Sequence, residues 1–337
     1  MTDFEPLLAW YRADARTLPW RQSPEPYRVL VSEFMLQQTR VDVVIPYYNR
    51  FLERFPTLES LARADVEEVL PLWSGLGYYR RARSLHAAAS RIAELGEFPS
   101  LEAELTRLPG VGAYTAAAVS SIAFGRPAVA LDGNAIRVLC RLLALRTPGT
   151  LRERVLPAIP PGAAAMFTQA VMELGATLCR PRAPLCETCP LKGQCLAHQQ
   201  GLTDEIPAKS PARPPVHVSL EALRCHKGDR ILLERQSAGP LLKGMWMFPY
   251  RALNEGGLTS LFESLPVGAA EVRASGQVRH QITFRKITVD VFEARAIEAD
   301  RVSERELDAG GYRWVHPSEL HTMALPSLTR KILESQA

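Results

Sequence analysis

LPGVGAYTAAAV, residues 108–119, sets two glycines two positions apart directly ahead of an alanine-rich run. Glycine tolerates backbone conformations closed to other residues, so Gly110 and Gly112 read as a tight hairpin. It would join a short helix ending near Arg107 to a second helix opening near Ala113, a helical pair spanning about 101–124. The N–H groups of such a hairpin, with the start of the following helix, form an anion site that a phosphate can approach closely. The same glycines also suit an ordinary helix–helix turn, so the surrounding chain must decide their use.

Outward from the hairpin the pattern stays helical. From Leu7 to about Gln200, apolar residues recur at three and four in YRVLVSEFMLQQT, GNAIRVLCRLLAL and AMFTQAVMELGATLC, and several runs end at glycine. IPAKSPARPP, residues 206–215, then places four prolines in ten residues and reads as a linker. Beyond it the period changes to two: in KITVDVF, Ile287, Val289 and Val291 share one face. The expected architecture is an all-α region over 1–205, the linker, and a smaller α+β domain over 216–337. No repeat of 20 to 50 residues is apparent.

Composition narrows the chemistry. With 337 residues and 47% hydrophobic content, the chain can bury more than one core. No apolar run is long enough for a membrane span and MTDFEPLLAW carries no basic-then-apolar leader, so a soluble, cytoplasmic, monomeric protein is expected. The net charge of +4 is compatible with a polyanionic partner without requiring one. Lys192 is the single lysine before Gly201, so a mechanism needing a lysine amine in that half has almost no candidate. Cys179, Cys186, Cys189 and Cys195 crowd into CRPRAPLCETCPLKGQC, with six, two and five residues between them. In a large chain, clustered thiols read as metal ligands rather than disulfides. This spacing favours an iron–sulfur cluster over zinc, whose ligands usually come as two short pairs, and leaves zinc open.

Taken together, LPGVG-x-YTA, LDGNAIRVL, the four cysteines, VSEFMLQQTRV and GLGYYRRAR resemble the helix-hairpin-helix DNA glycosylases, specifically the MutY type. The resemblance runs from LPWRQ through the cysteines and weakens beyond the linker. It implies one [4Fe–4S] cluster on the four cysteines of a 179–195 loop. It also implies removal of adenine mispaired with 8-oxoguanine or guanine from duplex DNA, in base excision repair.

Breaking an N-glycosidic bond calls for one group to protonate the leaving base and a carboxylate to meet the cationic sugar. Glu33 lies among Val31, Phe34, Met35 and Leu36, where desolvation would raise its pKa. Asp132 heads the GNAIRVL helix, where cap hydrogen bonds and the helix dipole favour its ionised form. A solvated glutamate and a plain N-cap are the ordinary readings; the resemblance instead implies Glu33 as general acid and Asp132 as the group that stabilises, or bonds to, the sugar carbon. Endonuclease III-type relatives carry a Schiff-base lysine where this chain has Tyr114, and some members have a lysine where it has Ile136. A monofunctional glycosylase is therefore expected, with Tyr114 bonding near Asp132 and Asn134 as further polar support.

Extruding a nucleotide leaves a gap to fill. Tyr78 resembles the family's intercalating residue and Gln38 the one that probes the opening; Leu108, Gly110, Val111 and Gly112 would meet the backbone. The arginines of YYRRAR would serve phosphates. Trp20, Arg21, Leu36 and Gln169 match adenine-pocket positions, and a carboxamide at Gln169 suits both a donor and an acceptor of adenine. Beyond the linker, GMWMFP and the alternating strands resemble the MutT-like module that reads 8-oxoguanine. No glutamate-rich Nudix helix is present, so no pyrophosphohydrolase activity is expected. Where the family has Phe-Ser-His, this chain has Ile282, Thr283 and Phe284, so Thr283 and Phe284 are the expected opposite-base contacts. The competing readings are a bifunctional glycosylase/lyase for oxidised pyrimidines and a non-catalytic DNA-binding iron–sulfur protein.

Overall fold

The computed structural model describes residues 2–208, 213–235, 242, 244–297, 302–323 and 325–335; part of the expected linker, 209–212, lies outside them. Contacts divide the chain into two units. One comprises Met1–Asp65 with Arg80–Pro211, and the other Val66–Tyr79 with Ala212–Ala337. The helical residues are therefore not one contiguous body. The short helix Val66–Leu72 and the turn after it belong with the C-terminal residues.

The first unit is helical. Ala113–Phe124 is rich in alanine, the best helix former, and its small side chains let it be buried all round, with Thr115 through Ile122 enclosed. Gly125 ends it in the left-handed conformation that favours glycine. Asp132 opens the next long helix, Gly133–Leu142, by accepting from the Ala135 N–H. Val138, Leu139 and Leu142 of that helix meet Phe167, Val171 and Leu174 of Ala164–Thr177, and Leu7 and Leu8 of Glu5–Asp14 join the same core. Each such leucine contributes about 1.5–3 kcal/mol through burial, so these contacts hold Asp132 against Ala164–Thr177.

The second unit is built on one sheet: β1 (Val216–Lys227), β2 (Arg230–Arg235), β3 (Trp246–Met247), β4 (Tyr250–Ala252), β5 (Gly268–Ile282), β6 (Arg285–Ile297) and β7 (Tyr312–Val315). The order is β3-β2-β1-β6-β5, with β4 paired to β1 and β7 to β2. β1 and β6 run parallel, Val218 opposite Ile287, while β5 and β6 form an antiparallel hairpin. Ile287, Val289 and Val291 are buried on one face, as their spacing predicts, against Leu325, Leu328 and Ile332 around the helix Ser327–Glu334. No helix among the described residues is long and apolar enough to cross a membrane.

Candidate active site

The hairpin is tightest at Gly110. Its φ of 73° lies in the left-handed region, and an added Cβ would collide with the Ser84 side chain and come within 3.2 Å of Phe34 Cε1. Gly112 differs from expectation: its backbone is extended, and the space around an added Cβ is open. Gly112 therefore serves by leaving the start of Ala113–Phe124 uncovered, rather than by making the turn. Leu108 and Val111 anchor the hairpin through buried side chains. The short first helix is Glu102–Leu105.

Glu33, Asp132, Tyr114 and Asn134 line one cavity of about 530 Å³, together with Trp20, Arg21, Leu36, Gln38 and Gln169. Five separate helices or helix starts contribute, so the site exists only in the folded unit. Glu33 sits on Pro26–Leu36 and is 5% exposed, and its Oε2 is buried with no hydrogen-bond partner. Burial pushes its carboxyl up to about 7; the Tyr114 hydroxyl opposes that rise and the charge of Asp132 adds to it. A carboxyl so placed keeps its proton near neutrality and has an oxygen open for a base to engage.

Asp132 departs from the expected low pKa. Burial raises it on balance, although the Ala135 N–H at 2.6 Å, the Arg137 guanidinium and Asn134 all act in the opposite direction. Desolvation of the cavity wall outweighs the cap. Tyr114 is driven well above the usual phenol range by burial, then by the charges of Glu33 and Asp132, so it stays a neutral donor; its hydroxyl also lies 4.0 Å from Met172 Sδ. The Asn134 Oδ1 accepts from Arg137 at 2.7 Å.

Glu173 and Arg16, which also line the pocket, were not expected from the sequence. Glu173, almost fully buried, receives Arg16 Nε at 2.6 Å and Arg21 Nη2 at 2.8 Å. Burial acts to raise its pKa, but the two guanidiniums prevail and hold it below the ordinary carboxylate value. It is thus a fixed anion in the cavity wall. The signal was the one that marked Glu33, a lone acid in an apolar helical run. Gln169 is less available than expected: its Oε1 accepts from Tyr11 at 3.3 Å and its Nε2 donates to the Ala165 carbonyl at 3.3 Å. Trp20 is buried edge-on to Tyr48, with ring centroids 5.4 Å apart, and still lines the cavity.

The arginines of YYRRAR also divide differently from the expected phosphate role. Arg81 is buried, and its Nη1 donates to the carbonyls of Phe34, Met35 and Gln37. It closes the C-terminal end of Pro26–Leu36, whose last carbonyls have no partner within the helix. Gln38 follows that end in the left-handed conformation, at φ 58°.

Cys179, Cys186, Cys189 and Cys195 line one small cavity with Arg141 and His198. Arg141 Nη1 approaches Cys179 Sγ at 3.4 Å, and the Cys189 thiol is pushed up to about 11 by burial and by the neighbouring thiols. Burial, with the neighbouring thiols adding to it, also raises Cys186 and Cys195, so the group is a donor set that a cationic group would relieve. Among the described residues no group of three or more His, Cys, Asp or Glu is placed to hold a single metal ion. Four cysteine thiolates are the donor type that an iron–sulfur cluster takes.

In the second unit, Thr283 and Phe284 form the two-residue tip between β5 and β6. Thr283 is left-handed, at φ 55°, and its hydroxyl donates to the Ile282 carbonyl at 2.7 Å. The guanidiniums of Arg213 and Arg285 lie over the Phe284 ring, at 5.6 and 4.7 Å from its centroid. Tyr78 is 43% exposed, also at positive φ. The helix Gly257–Ser264 is not glutamate-rich, and its first turn is met by the Glu221 carboxylate, which accepts from the Leu258 N–H.

Residues 31–158 match the family model described as HhH-GPD superfamily base excision DNA repair protein, and residues 222–335 match the NUDIX domain model. An adenine DNA glycosylase of Rattus norvegicus is 34% identical over 97% of this chain and 76% of its own length. The chain belongs to the adenine DNA glycosylase family. The Homo sapiens relative is 33% identical over 97% of the chain and 72% of its own length. Among solved structures, a thermostable thymine-DNA glycosylase aligns with 28% identity and a TM-score of 0.54, over 58% of this chain and 94% of its own. A non-covalent endonuclease III–DNA complex aligns with 25% identity and a TM-score of 0.50, over 58% and 93%.

Proposed function

We propose that this chain is a monofunctional glycosylase that hydrolyses the N-glycosidic bond of adenine mispaired with 8-oxoguanine or guanine in duplex DNA. The observation that carries the reading is the unpartnered Oε2 of Glu33, buried in the cavity that Asp132 also lines. Glu33 gives its proton to the leaving adenine. Asp132, as the carboxylate, stabilises the oxocarbenium-like sugar or bonds to it, and water completes the hydrolysis. Tyr114 and Asn134 hold the polar geometry around Asp132. Trp20, Arg21, Leu36 and Gln169 enclose the base, and Glu173 presents a carboxylate suited to an exocyclic amine.

On the DNA side, the hairpin Leu108–Gly112 receives a backbone phosphate, Gln38 and Tyr78 occupy the opened stack, and Thr283 with Phe284 meets the opposite base. Cys179, Cys186, Cys189 and Cys195 would hold one [4Fe–4S] cluster, which when bound braces residues 179–195 through four thiolate bonds. The protein acts as a monomer in the compartment that holds the chromosome.

The test incubates the protein with duplexes carrying adenine opposite 8-oxoguanine, guanine, cytosine or thymine and counts alkali-labile sites. Such sites opposite the first two bases, with no nicks before alkali, are the expected result. Nicks without alkali would establish the bifunctional reading, and intact bases throughout would establish the non-catalytic one.

A further inference from the structure

The turn that carries Tyr78 is coiled tightly, with Gly75, Gly77 and Tyr78 all at positive φ. For tyrosine this conformation is strained, so the turn must be held from outside. Contacts within the second unit hold it, the Trp73 indole donating to the Gly77 carbonyl at 3.2 Å among them. The Tyr79 hydroxyl, buried, donates to the Leu325 carbonyl at 2.8 Å; the Ser74 hydroxyl donates to the same carbonyl at 3.2 Å; and Arg330 donates to Ser74 Oγ at 2.8 Å. An ion pair between Glu67 and Arg235 ties the preceding helix to β2.

Leu325 and Arg330 lie just before and within the helix Ser327–Glu334. That helix packs on the β5–β6 hairpin through Leu328 and Ile332, which, with Leu325 just before it, share a core with Val278, Ile287 and Val289. The Lys331 ammonium also donates to the Arg279 carbonyl of β5. A continuous packed path therefore runs from the hairpin tip at Thr283 to the turn at Tyr78.

We infer that Ser74, Tyr79 and Arg330 are positioning residues that hold Tyr78 as a wedge, so that the wedge and the opposite-base hairpin act as one body. The inference rests on the proposed excision from duplex DNA. Its consequence is that a hairpin seated on the opposite base places the wedge in the same step.

The test uses Tyr79→Phe and Arg330→Ala, each in the full chain and each also combined with Tyr78→Ala. A duplex with 2-aminopurine beside the target adenine, opposite 8-oxoguanine, reports unstacking by stopped-flow fluorescence; adenine release is followed on the same substrate. Each single variant is expected to slow the fluorescence rise roughly fivefold, as for loss of one net hydrogen bond. In the Tyr78→Ala background neither should slow it further, because the interaction they support is gone. Equal slowing in both backgrounds, or no slowing in either, overturns the inference while adenine release by the wild type leaves the excision reading intact. A wild type that releases no adenine overturns both.

Discussion

Gly175 and Asn134 are packed so closely that a Cβ on Gly175 would stand 2.7 Å from the Asn134 Cβ and 3.1 Å from its carbonyl oxygen. The crossing brings the helix Ala164–Thr177 onto the first turn of Gly133–Leu142, where Asp132 and Asn134 sit. Arg137 seals it by donating to the Gly175 carbonyl at 2.8 Å. Gly175→Ala should push Asp132 away from Glu33. The expected result is a loss of about 1–3 kcal/mol in stability, as for overpacking a filled site, with single-turnover adenine release falling further than DNA affinity. Chemical denaturation and release kinetics measured together check it.

Glu33 couples activity to stability in opposite directions. With its carboxyl raised to about 7, the protonated form needed to donate is lost as pH rises through that value, so adenine release should decline above it. The folded state binds this proton more tightly than the unfolded chain, so stability from the neutral form is present at acid pH and lost as pH rises. Glu33→Gln should abolish release yet stabilise the fold at pH 8, on the order of 3 kcal/mol relative to pH 5. Wild-type release by this variant in a single-turnover assay would remove Glu33 from the mechanism.

For Glu173 the sign reverses. Arg16 and Arg21 hold its pKa below the ordinary 4.5, so its contribution to stability is present at neutral pH and lost as pH falls. Glu173→Gln should cost about 1–3 kcal/mol at pH 7, discounted because Arg16 is partly exposed. The difference from wild type should shrink below pH 4.5 in paired melting curves.

Neighbouring arginines should behave unlike one another. Arg81→Ala leaves the end of Pro26–Leu36 without its donor and should destabilise by about 2–3 kcal/mol. Arg80 is exposed at the start of Arg80–Leu95, the helix that carries Arg81. Arg80→Ala should leave the melting curve in place and reduce the salt slope of DNA binding by about one. Equal loss of stability in both would remove the capping role from Arg81.

Cys189→Ser should lower the iron content of purified protein and expose the 179–195 segment to protease. Iron retained at the wild-type ratio would exclude this thiol as a ligand.

Local patterns in the chain were enough to establish the helical period before the linker, the period of two after it, the glycine hairpin, the clustered cysteines and Glu33 within an apolar run. Each depends on spacing over a few residues, which φ/ψ limits and side-chain periodicity convert directly into structure. Tertiary packing alone decided the rest. It raised Asp132 despite its cap, committed both ends of Gln169, and turned Arg81 inward to close a helix from another part of the chain. It also paired Glu173 with arginines more than 150 residues earlier and grouped Val66–Tyr79 with the C-terminal unit. Desolvation and hydrogen-bond partnership depend on which distant surfaces meet, and no local pattern encodes that meeting.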